Sequence, residues 1–386
     1  MASQPPDNMP AELQGAMAAL GNDPAAAREM ARKALAGAAP DPRFWVVAGH
    51  ASRLLEDWAD LEVVADGLLT AAPNAILGLI WKADCLSKRG ELQKASVHYT
   101  AALRAAEEAD ALPEPTQRDL QRVKKEIEEI RRTYSWHLDG HLRSKGITPE
   151  NCSRSFAEAF AALAGTHEPP IGLQRPSMLH YPGLPERCYY ERDNFDWTAG
   201  LEAASEDIRT EFEAARVQPG ALQSLGERRT EDLADGGGAQ GMPDLSAYLL
   251  WNNGAPDKDH LAQCPKTAAL LESFPRPQFP NTSPIAAFWR FAPETRIMPR
   301  NGLLNSRLIG HLPLIVSAAC GLAVNGERRA WEAGKLIVFD DSIEHEIWNE
   351  GETEAVVLLF DIARPEIDDA DQKALAALFE AVDSFR

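Results

Sequence analysis

Small and apolar residues recur every 34 positions along the first third of the chain. The segments that carry them also have apolar residues at helical spacing. Because only Gly or Ala lets two helices pack at close range, a repeat of this length predicts successive helix pairs that share one core. The equivalent positions form three series: Gly15, Gly49 and Ala83; Ala27, Leu61 and Ala95; and Ala34, Leu68 and Ala102.

A period of 34 residues with small residues at the helix contacts resembles the tetratricopeptide repeat. The Trp, Tyr and Phe positions of that family are mostly replaced, so an irregular helical bundle is the alternative hypothesis. Residues 1–145 are predicted to form a tetratricopeptide-like helical domain, with a long polar helix over residues 114–146 as its cap. Stacked helix pairs present a concave groove, so the resemblance implies a peptide or protein partner.

Two histidines, His137 and His141, are four residues apart near the end of that polar helix. Such a pair on a helix can bind a metal ion. Asp139 and Gly140 lie between them and are expected to fray the helix, because both are poor helix formers. We therefore predict a solvated helix end here rather than a metal site.

The composition changes after about residue 165, where Pro, aromatic and β-branched residues become more frequent. Short apolar runs at 307–316, 335–341 and 354–363 have the length and composition of strands. One long helix is predicted around residues 196–216, with Asp196 as its N-cap. Short strands with turns favour an antiparallel jelly roll over a parallel sheet. The predicted fold class is α + β in two domains, with a double-stranded β-helix over residues 165–386.

The charge balance limits the classes of partner. The chain carries 58 acidic and 39 basic residues, a formal net charge of −19. This argues against binding to nucleic acid or to an anionic membrane, because both rely on clustered Lys and Arg. No apolar run reaches the roughly 18 residues of a membrane span, and no secretory signal is recognisable. The five cysteines include no C-x-x-C pair, which is typical of reduced thiols, so a cytoplasmic location is predicted.

The strongest chemical pattern is the stretch WEAGKLIVFDDSIEHEIWNEG, residues 331–351. Its His345 follows a predicted strand, and His311 lies in another predicted strand. Double-stranded β-helix oxygenases hold iron with two imidazoles and often a carboxylate, and they leave positions open for oxygen and a cosubstrate. For either histidine taken alone, a hydrogen-bonded core residue is the alternative.

Residues 176–367 resemble the aspartyl/asparaginyl β-hydroxylase family, with the motifs in the same order. This covers about half of the chain and implies a jelly-roll fold. It also implies an Fe(II)- and 2-oxoglutarate-dependent dioxygenase that hydroxylates the β-carbon of Asp or Asn side chains. The matching motifs are HYPGLPERCYYERDNFDW (180–197), CPKTAALLESFP (264–275), MPRNGLLNSRLIGHLPL (298–314), WEAGKLIVFDDSIEHEIWNE (331–350) and DIARPEI (361–367).

The resemblance also implies roles for single residues. His345 matches the distal iron ligand, and His311 matches the histidine that contacts the carboxylate of 2-oxoglutarate. Asn305 and Arg307 fall on matching positions of the strand that contains His311, with at most a supporting role.

Several positions depart from the family pattern. The first iron ligand of the family is the histidine of a Pro-His pair, and this position is occupied by Arg300 here. A guanidinium stays protonated and has no lone pair to give, so Arg300 cannot replace an imidazole. Gly302 stands where related oxygenases place a carboxylate. The family positions that anchor 2-oxoglutarate, two arginines and a serine, are Ile309, Ala355 and Trp289.

Two functions are compatible with these residues. In the first, the chain is a hydroxylase with a degenerate iron and 2-oxoglutarate site, in which Arg290, Arg296 or Arg300 holds a carboxylate. In the second, it is a non-catalytic hydroxylase-like module. Its cavity, lined by Arg300, His311 and His345, would suit an anionic group while the helical repeats bind a partner. A plain β-core without any site is a third alternative.

Overall fold

The structure is a computed structural model that describes residues 9–37, 41–109, 111–148, 150–168, 172–225 and 245–385. The chain divides into two compact units, Met1–Tyr134 with Phe385–Arg386, and Ser135–Ser384. We call them the helical unit and the β-rich unit. The domain limits predicted from the sequence, 1–145 and 165–386, stay predictions. None of the described helices has both the length and the apolar character needed to cross a membrane.

Helices in the helical unit follow one another along the chain, and from the first to the sixth each packs against the next. The first period-34 series lies on α1, α3 and α5, and the other two lie on α2, α4 and α6. The predicted succession of helix pairs is therefore present, while their assignment as tetratricopeptide repeats stays a prediction. The helices are α1 (Ala11–Ala19), α2 (Pro24–Leu35), α3 (Arg43–Leu54), α4 (Trp58–Ala71), α5 (Ile76–Lys88), α6 (Leu92–Glu107) and the greater part of α7 (Glu114–Ser144).

Local side chains explain where these helices begin and how closely they pack. The carboxylates of Asp23 and Asp57 accept a hydrogen bond from the first turns of α2 and α4, which is the ordinary N-cap arrangement. A Cβ atom at Gly49 of α3 would overlap the buried ring of Trp81 in α5. The glycine is therefore required by the close approach of an aromatic ring.

The β-rich unit contains the remaining elements. Its helices are the end of α7, α8 (Arg154–Leu163), α9 (Thr198–Ala203), α10 (Ser205–Ala215), α11 (Lys258–Gln263), α12 (Pro265–Glu272) and α13 (Asp369–Ser384), with a short 3-10 helix at Arg192–Asn194. Its strands are β1 (Tyr189–Tyr190), β2 (Gln223–Ser224), β3 (Leu245–Asn252), β4 (Ala255–Pro256), β5 (Ala286–Phe291), β6 (Thr295–Arg300), β7 (Arg307–Ile315), β8 (Cys320–Val324), β9 (Glu327–Ala330), β10 (Ile337–Phe339), β11 (His345–Asn349) and β12 (Ala355–Ala363).

The strands form two antiparallel sheets. The main sheet has the order β1-β10-β7-β12-β5-β3-β2, with β4 paired to β3, and the minor sheet has the order β6-β11-β8-β9. From β5 to β12 the chain passes between the sheets in the order of a double-stranded β-helix. One buried apolar cluster takes side chains from both sheets. A second cluster covers the other face of the main sheet with α9, α10 and α12. The antiparallel architecture predicted for this part of the chain is confirmed.

The single helix predicted over residues 196–216 is wrong. The structure has two helices, α9 and α10, because the backbone leaves helical geometry at Ala204 with φ −87° and ψ 2°. The residue before the first turn of α9 is Trp197, and no side chain caps that turn, so Asp196 is not an N-cap.

The predicted fraying near Gly140 is also wrong, because α7 continues to Ser144. Nε2 of His137 lies 3.0 Å from the carbonyl oxygen of Ala381, and Nε2 of His141 lies 3.3 Å from Oε2 of Glu380. Both partners belong to α13. The two histidines therefore join α7 to α13 instead of lying at a solvated helix end.

Candidate functional site

The candidate site begins where β6 and β11 pair in the minor sheet. Arg300 at the end of β6 lies directly opposite His345 at the start of β11. The ladder is irregular between His345 and Ile347. Bulges of this kind often lie beside functional sites, because they re-aim a side chain. The structure thus brings together two of the residues that the sequence singled out.

The imidazole of His345 is buried and has a defined orientation. His345 is 4% exposed, and its Nδ1 lies 3.1 Å from the carbonyl oxygen of Ile343. Since a carbonyl oxygen can only accept, Nδ1 carries the proton in this arrangement. A backbone carbonyl holding one ring nitrogen is also how metal-binding histidines are commonly oriented.

His311 lies in β7, between Ile337 of β10 and Leu359 of β12. It is fully buried, and neither ring nitrogen has a hydrogen-bond partner among the described residues. Burial is the largest cause that lowers the pKa of His311 to about 3, and the electrostatic effects of His345 and Arg300 contribute to the same shift. The imidazole is therefore neutral at physiological pH. Native proteins rarely leave a buried polar group without a partner, so the exception marks His311 as a functional candidate.

Phe339 links the two histidines. Its ring centroid lies 5.0 Å from that of His311 and 5.6 Å from that of His345. Trp331 contacts His311 on another side, at 5.8 Å between ring centroids. His311 and His345 therefore approach the same aromatic ring in the space between the sheets.

Gly302 is locked in place by Asp341. The amide nitrogen of Gly302 donates to the carbonyl oxygen of Asp341 at 2.7 Å. A Cβ atom at Gly302 would overlap the carboxylate of Asp341. No side chain, and hence no carboxylate ligand, fits at position 302 unless Asp341 moves.

The three positions that matched the anchors of 2-oxoglutarate lie in the apolar core. Ile309, Ala355 and Trp289 are 3%, 0% and 5% exposed, and all three belong to the cluster between the sheets. Trp331 and Phe291 are in the same cluster, with ring centroids 5.5 Å apart. Aromatic and aliphatic side chains thus line the space where a dicarboxylate would need cations and hydroxyl groups.

Asn305 and Arg307 have buried partners in the β-rich unit, and one partner of Arg307, the carboxylate of Asp341 at 3.7 Å, also lies beside Gly302. The Asn305 amide donates to Gln174 Oε1 and to the carbonyl oxygen of Tyr181, both at 2.8 Å. Arg307 is fully buried, 3.6 Å from the carboxylate of Asp361. These contacts fit a supporting role for both residues.

Arg290 and Arg296 pair with glutamates near the surface. Arg290 Nε lies 2.7 Å from Glu354, and Arg296 Nη2 lies 2.6 Å from Glu346. Neither arginine is brought to the histidine pair by these contacts. Of the three arginines considered from the sequence, Arg300 is the one in register with His345.

The donor set does not suit Fe(II). Among the described residues, no three side chains of His, Cys, Asp or Glu come together as a possible metal site. Arg300 offers a permanent positive charge beside the two imidazoles. Iron in related oxygenases needs at least two imidazoles and commonly a carboxylate on one face, and a guanidinium supplies none of these.

Three residues of the site were not found by sequence reasoning. Phe339 and Trp331 flank His311, and Asp341 fills the space beside Gly302. Phe339 and Asp341 belong to the quoted FDD run, but only the strand pairing reveals what they face. Trp331 begins the same quoted stretch, but nothing in the sequence indicates that its ring contacts His311.

Comparison with solved structures gives distant similarities only. A Pseudomonas putida prolyl-4-hydroxylase is 13% identical, with a TM-score of 0.26, over 43% of this chain and 99% of that one. A predicted oxalate decarboxylase from Thermotoga maritima has a TM-score of 0.21 over 31% of this chain and 81% of that one. Scores this low do not bear on function.

Sequence relatives are more informative. The mouse (Mus musculus) "Aspartyl/asparaginyl beta-hydroxylase" is 32% identical over 136 residues, which are 35% of this chain and 18% of that protein. The mouse "Aspartate beta-hydroxylase domain-containing protein 1" is 27% identical over 67% of each chain. The "Ornithine lipid ester-linked acyl 2-hydroxylase" of Rhizobium tropici is 26% identical over 57% of this chain and 73% of that protein.

The family model described as "Aspartyl/Asparaginyl beta-hydroxylase" matches residues 202–365. This segment runs from α9 to the end of β12 and contains Arg300, His311 and His345. The family model and the sequence relatives name the same family, and residues 202–365 are similar to the aspartyl/asparaginyl β-hydroxylase family.

Proposed function

We propose that this chain is a non-catalytic member of the β-hydroxylase family that binds an anionic group where its relatives' metal centre would be. The observation that carries the proposal is the register of Arg300 with His345 across β6 and β11. Arg300 stands at the position of the first iron ligand and supplies a cation in place of a lone pair.

The electrostatics of the site favour an anion over Fe(II). A unit charge held about 4 Å from another changes its energy by about 4 kcal/mol at an effective dielectric of 20. The charge of Arg300 therefore opposes a divalent cation and attracts an anion instead. His311 is neutral and buried with neither nitrogen hydrogen-bonded to a described residue, so it can donate one N–H to a bound anion.

The same residues argue against turnover of 2-oxoglutarate. Bidentate Arg–carboxylate pairs are the strongest anchors for a dicarboxylate in a buried site. Ile309 and Ala355 offer no charge at the two family positions, and Trp289 fills a third. A hydroxylase with a degenerate site therefore needs both a different metal ligand and a different cosubstrate anchor.

The test compares wild type with Arg300→His under anaerobic Fe(II) titration, with succinate formation from 2-oxoglutarate measured in parallel. Wild type is expected to bind iron weakly and to form no succinate above background. Arg300→His rebuilds the first ligand and should strengthen iron binding at least tenfold, about 1.4 kcal/mol. It should not restore turnover, because the dicarboxylate remains without its anchors.

Arg296→His is the matched control, because Arg296 lies on the same strand but is exposed and paired with Glu346. It should leave iron binding as weak as in wild type. Tight stoichiometric iron with succinate production in wild type would refute the proposal and support the active enzyme. Unchanged iron binding in Arg300→His would refute the geometry on which the proposal rests.

The partner proposed from the helical repeats is a peptide segment. A cleft of about 550 Å³ runs along α6 and is lined by Thr100, Arg104 and Glu108, with Asn74 at its edge. Arg104 is exposed and forms no ion pair with any described residue, so it can hold an acidic side chain of the peptide. Selection from a displayed peptide library should yield sequences whose binding is lost in Arg104→Glu. Selected peptides that bind both proteins equally would exclude this cleft.

A further inference from the structure

A second cleft lies in the β-rich unit, on the face of the main sheet opposite the histidine pair. It has a volume of about 370 Å³ and is formed by the end of β3, β4, α12 and the segment that follows α12. Its walls include Trp251, Leu271 and Phe274, which belong to the apolar cluster beneath the helices. The size falls within the range of small-molecule sites. This cleft is independent of Arg300, His311 and His345.

Arg276 is the charged donor of this cleft. Its guanidinium lies over the ring of Trp251, with Cζ 4.3 Å from the ring centroid. Its one hydrogen bond among the described residues is a long one, from Nη1 to the carbonyl oxygen of Leu271 at 3.5 Å. Nε is buried and has no partner in the described part of the chain. A guanidinium has five N–H donors, so most of its capacity is unused.

The electrostatic environment of Arg276 leaves its charge uncompensated. Burial lowers the pKa of Arg276, and attraction to Asp361 and Glu272 opposes this shift without cancelling it. No carboxylate of the described residues lies within ion-pair distance of Arg276. A buried charge without a close partner is costly, and a ligand carboxylate would remove that cost.

Glu272 defines the second half of the ligand. It lies at the exposed rim of the same cleft and forms no ion pair within the described segments. Arg276 is the cation among the lining residues. One cation with a nearby carboxylate disfavours a doubly charged phosphate and favours a ligand that carries one negative and one positive group. Phe274 and Pro256 provide apolar surface beside them.

We propose that this cleft binds a free apolar α-amino acid. Its carboxylate accepts from Arg276, its ammonium group donates to Glu272, and its side chain lies toward Phe274 and Pro256. The planar guanidinium, which lies over the ring of Trp251, matches a carboxylate with two parallel hydrogen bonds. A residue within a peptide lacks the free ammonium and carboxylate on one carbon, so the ligand is the free amino acid.

The experiment is calorimetric titration of the full chain with L-phenylalanine, N-acetyl-L-phenylalanine, L-phenylalanine amide and inorganic phosphate. L-Phenylalanine should bind with a Kd of about 1 mM or tighter. The acetylated and amidated compounds should each bind at least tenfold more weakly, because each lacks one charge. Phosphate should neither bind nor compete.

Two variants and one control assign the contacts. Arg276→Gln should abolish binding of L-phenylalanine. Glu272→Gln should lower the affinity for L-phenylalanine to that for its acetyl derivative. The affinity for the acetyl derivative itself should not change. Arg209→Gln, a change on the exposed surface of α10, should leave all affinities as in wild type.

The proposal is overturned if L-phenylalanine and its acetyl derivative bind equally to wild type, since Glu272 then has no role. It is overturned equally if phosphate competes, which would make the cleft a simple anion site, or if no compound binds. Because Glu272 is exposed, its variant tests the proposal even if Arg276→Gln impairs folding. None of these results depends on iron or on Arg300.

Discussion

At the scale of single residues, the site is defined by His311. An imidazole with both nitrogens buried and without described partners costs free energy that a plain core would avoid by using an apolar side chain. Its neighbours Phe339 and Trp331 are aromatic, so the cost is not offset by hydrogen bonds from the sheet. This makes the alternative of a plain β-core, considered from the sequence, a poor account of the residue.

The lowered pKa of His311 predicts a pH dependence of stability. The pKa is about 3 in the folded protein and 6.5 ordinarily, so the unfolded chain binds a proton between these values while the folded chain does not. The stabilising effect is therefore complete above about pH 6.5 and is lost as the pH falls toward 3. His345 and Arg300 face this imidazole and act in the same direction.

Denaturant titrations of wild type and His311→Met at pH 7 and pH 5 measure this contribution. Wild type should lose about 2 kcal/mol more unfolding free energy than the variant between these pH values. Histidines that do not act on His311, such as His180 with its own lowered pKa, contribute equally to both proteins and cancel in the difference. An identical loss in wild type and variant would mean that His311 is protonated in the folded state.

At the scale of elements, the apolar pattern of the sequence predicted those strands whose formation depends on local composition. The runs that became β7, β10 and β12 are buried almost throughout, so their composition alone indicates strands. Two errors remained, since the break at Ala204 was missed and fraying was predicted at Gly140, where α7 continues. Gly140 stays helical where α13 packs against His137 and His141, and no local signal at residues 137–144 reports that contact.

The two helix glycines Gly49 and Gly140 give opposite predictions. Gly49→Ala places a Cβ atom against the ring of Trp81 and should destabilise the helical unit by about 1–3 kcal/mol, as overpacking of a core does. Gly140→Ala meets no atom within 4 Å and should stabilise α7 by about 0.5–1 kcal/mol, because alanine favours the helix. Thermal unfolding of both variants measures the two effects.

Each glycine variant serves as the control for the other. Equal changes in both would show that helix propensity alone acts, and that Trp81 does not approach Gly49 as closely as the structure has it. A second substitution, Trp81→Leu, tests the clash directly. It should lower stability in the wild-type background but relieve the overlap in the Gly49→Ala background.

At the scale of the whole chain, the fold class was predictable from the sequence and the state of the site only in part. The position of Arg300 and the apolar residues Ile309, Ala355 and Trp289 follow from matching motifs. The motifs do not predict that Asp341 excludes a side chain at position 302. This exclusion depends on how two segments about forty residues apart meet in the fold. Contacts between segments distant in sequence determine such features of the site, and local sequence patterns do not report these contacts.

One buried network joins such distant segments in the β-rich unit. The Arg364 and Asp340 side chains are fully buried and 2.7 Å apart. Arg364 also donates to the carbonyl oxygens of Asn305 and Pro185, and the Gln174 amide donates to Asp340 at 2.8 Å. The network therefore ties the first loops of the unit to β10, the start of β7 and the end of β12.

Removing one member of this pair should destabilise the β-rich unit strongly. Asp340→Asn leaves the buried Arg364 guanidinium with only the partly exposed Glu366, 3.4 Å from its Nε, as a counter-charge, and breaking a buried pair typically costs about 3–5 kcal/mol. The double variant Asp340→Asn/Arg364→Met removes the buried cation as well, so its loss should be smaller than the sum of the single losses. Arg154→Met, which breaks the exposed pair with Glu158 on α8, should leave the unfolding transition unchanged. Calorimetric unfolding of Asp340→Asn, Arg364→Met, the double variant and Arg154→Met beside wild type makes the comparison. Additive losses in the double variant would contradict a coupled pair, and would mean that the carbonyl and amide contacts hold these segments together without the salt bridge.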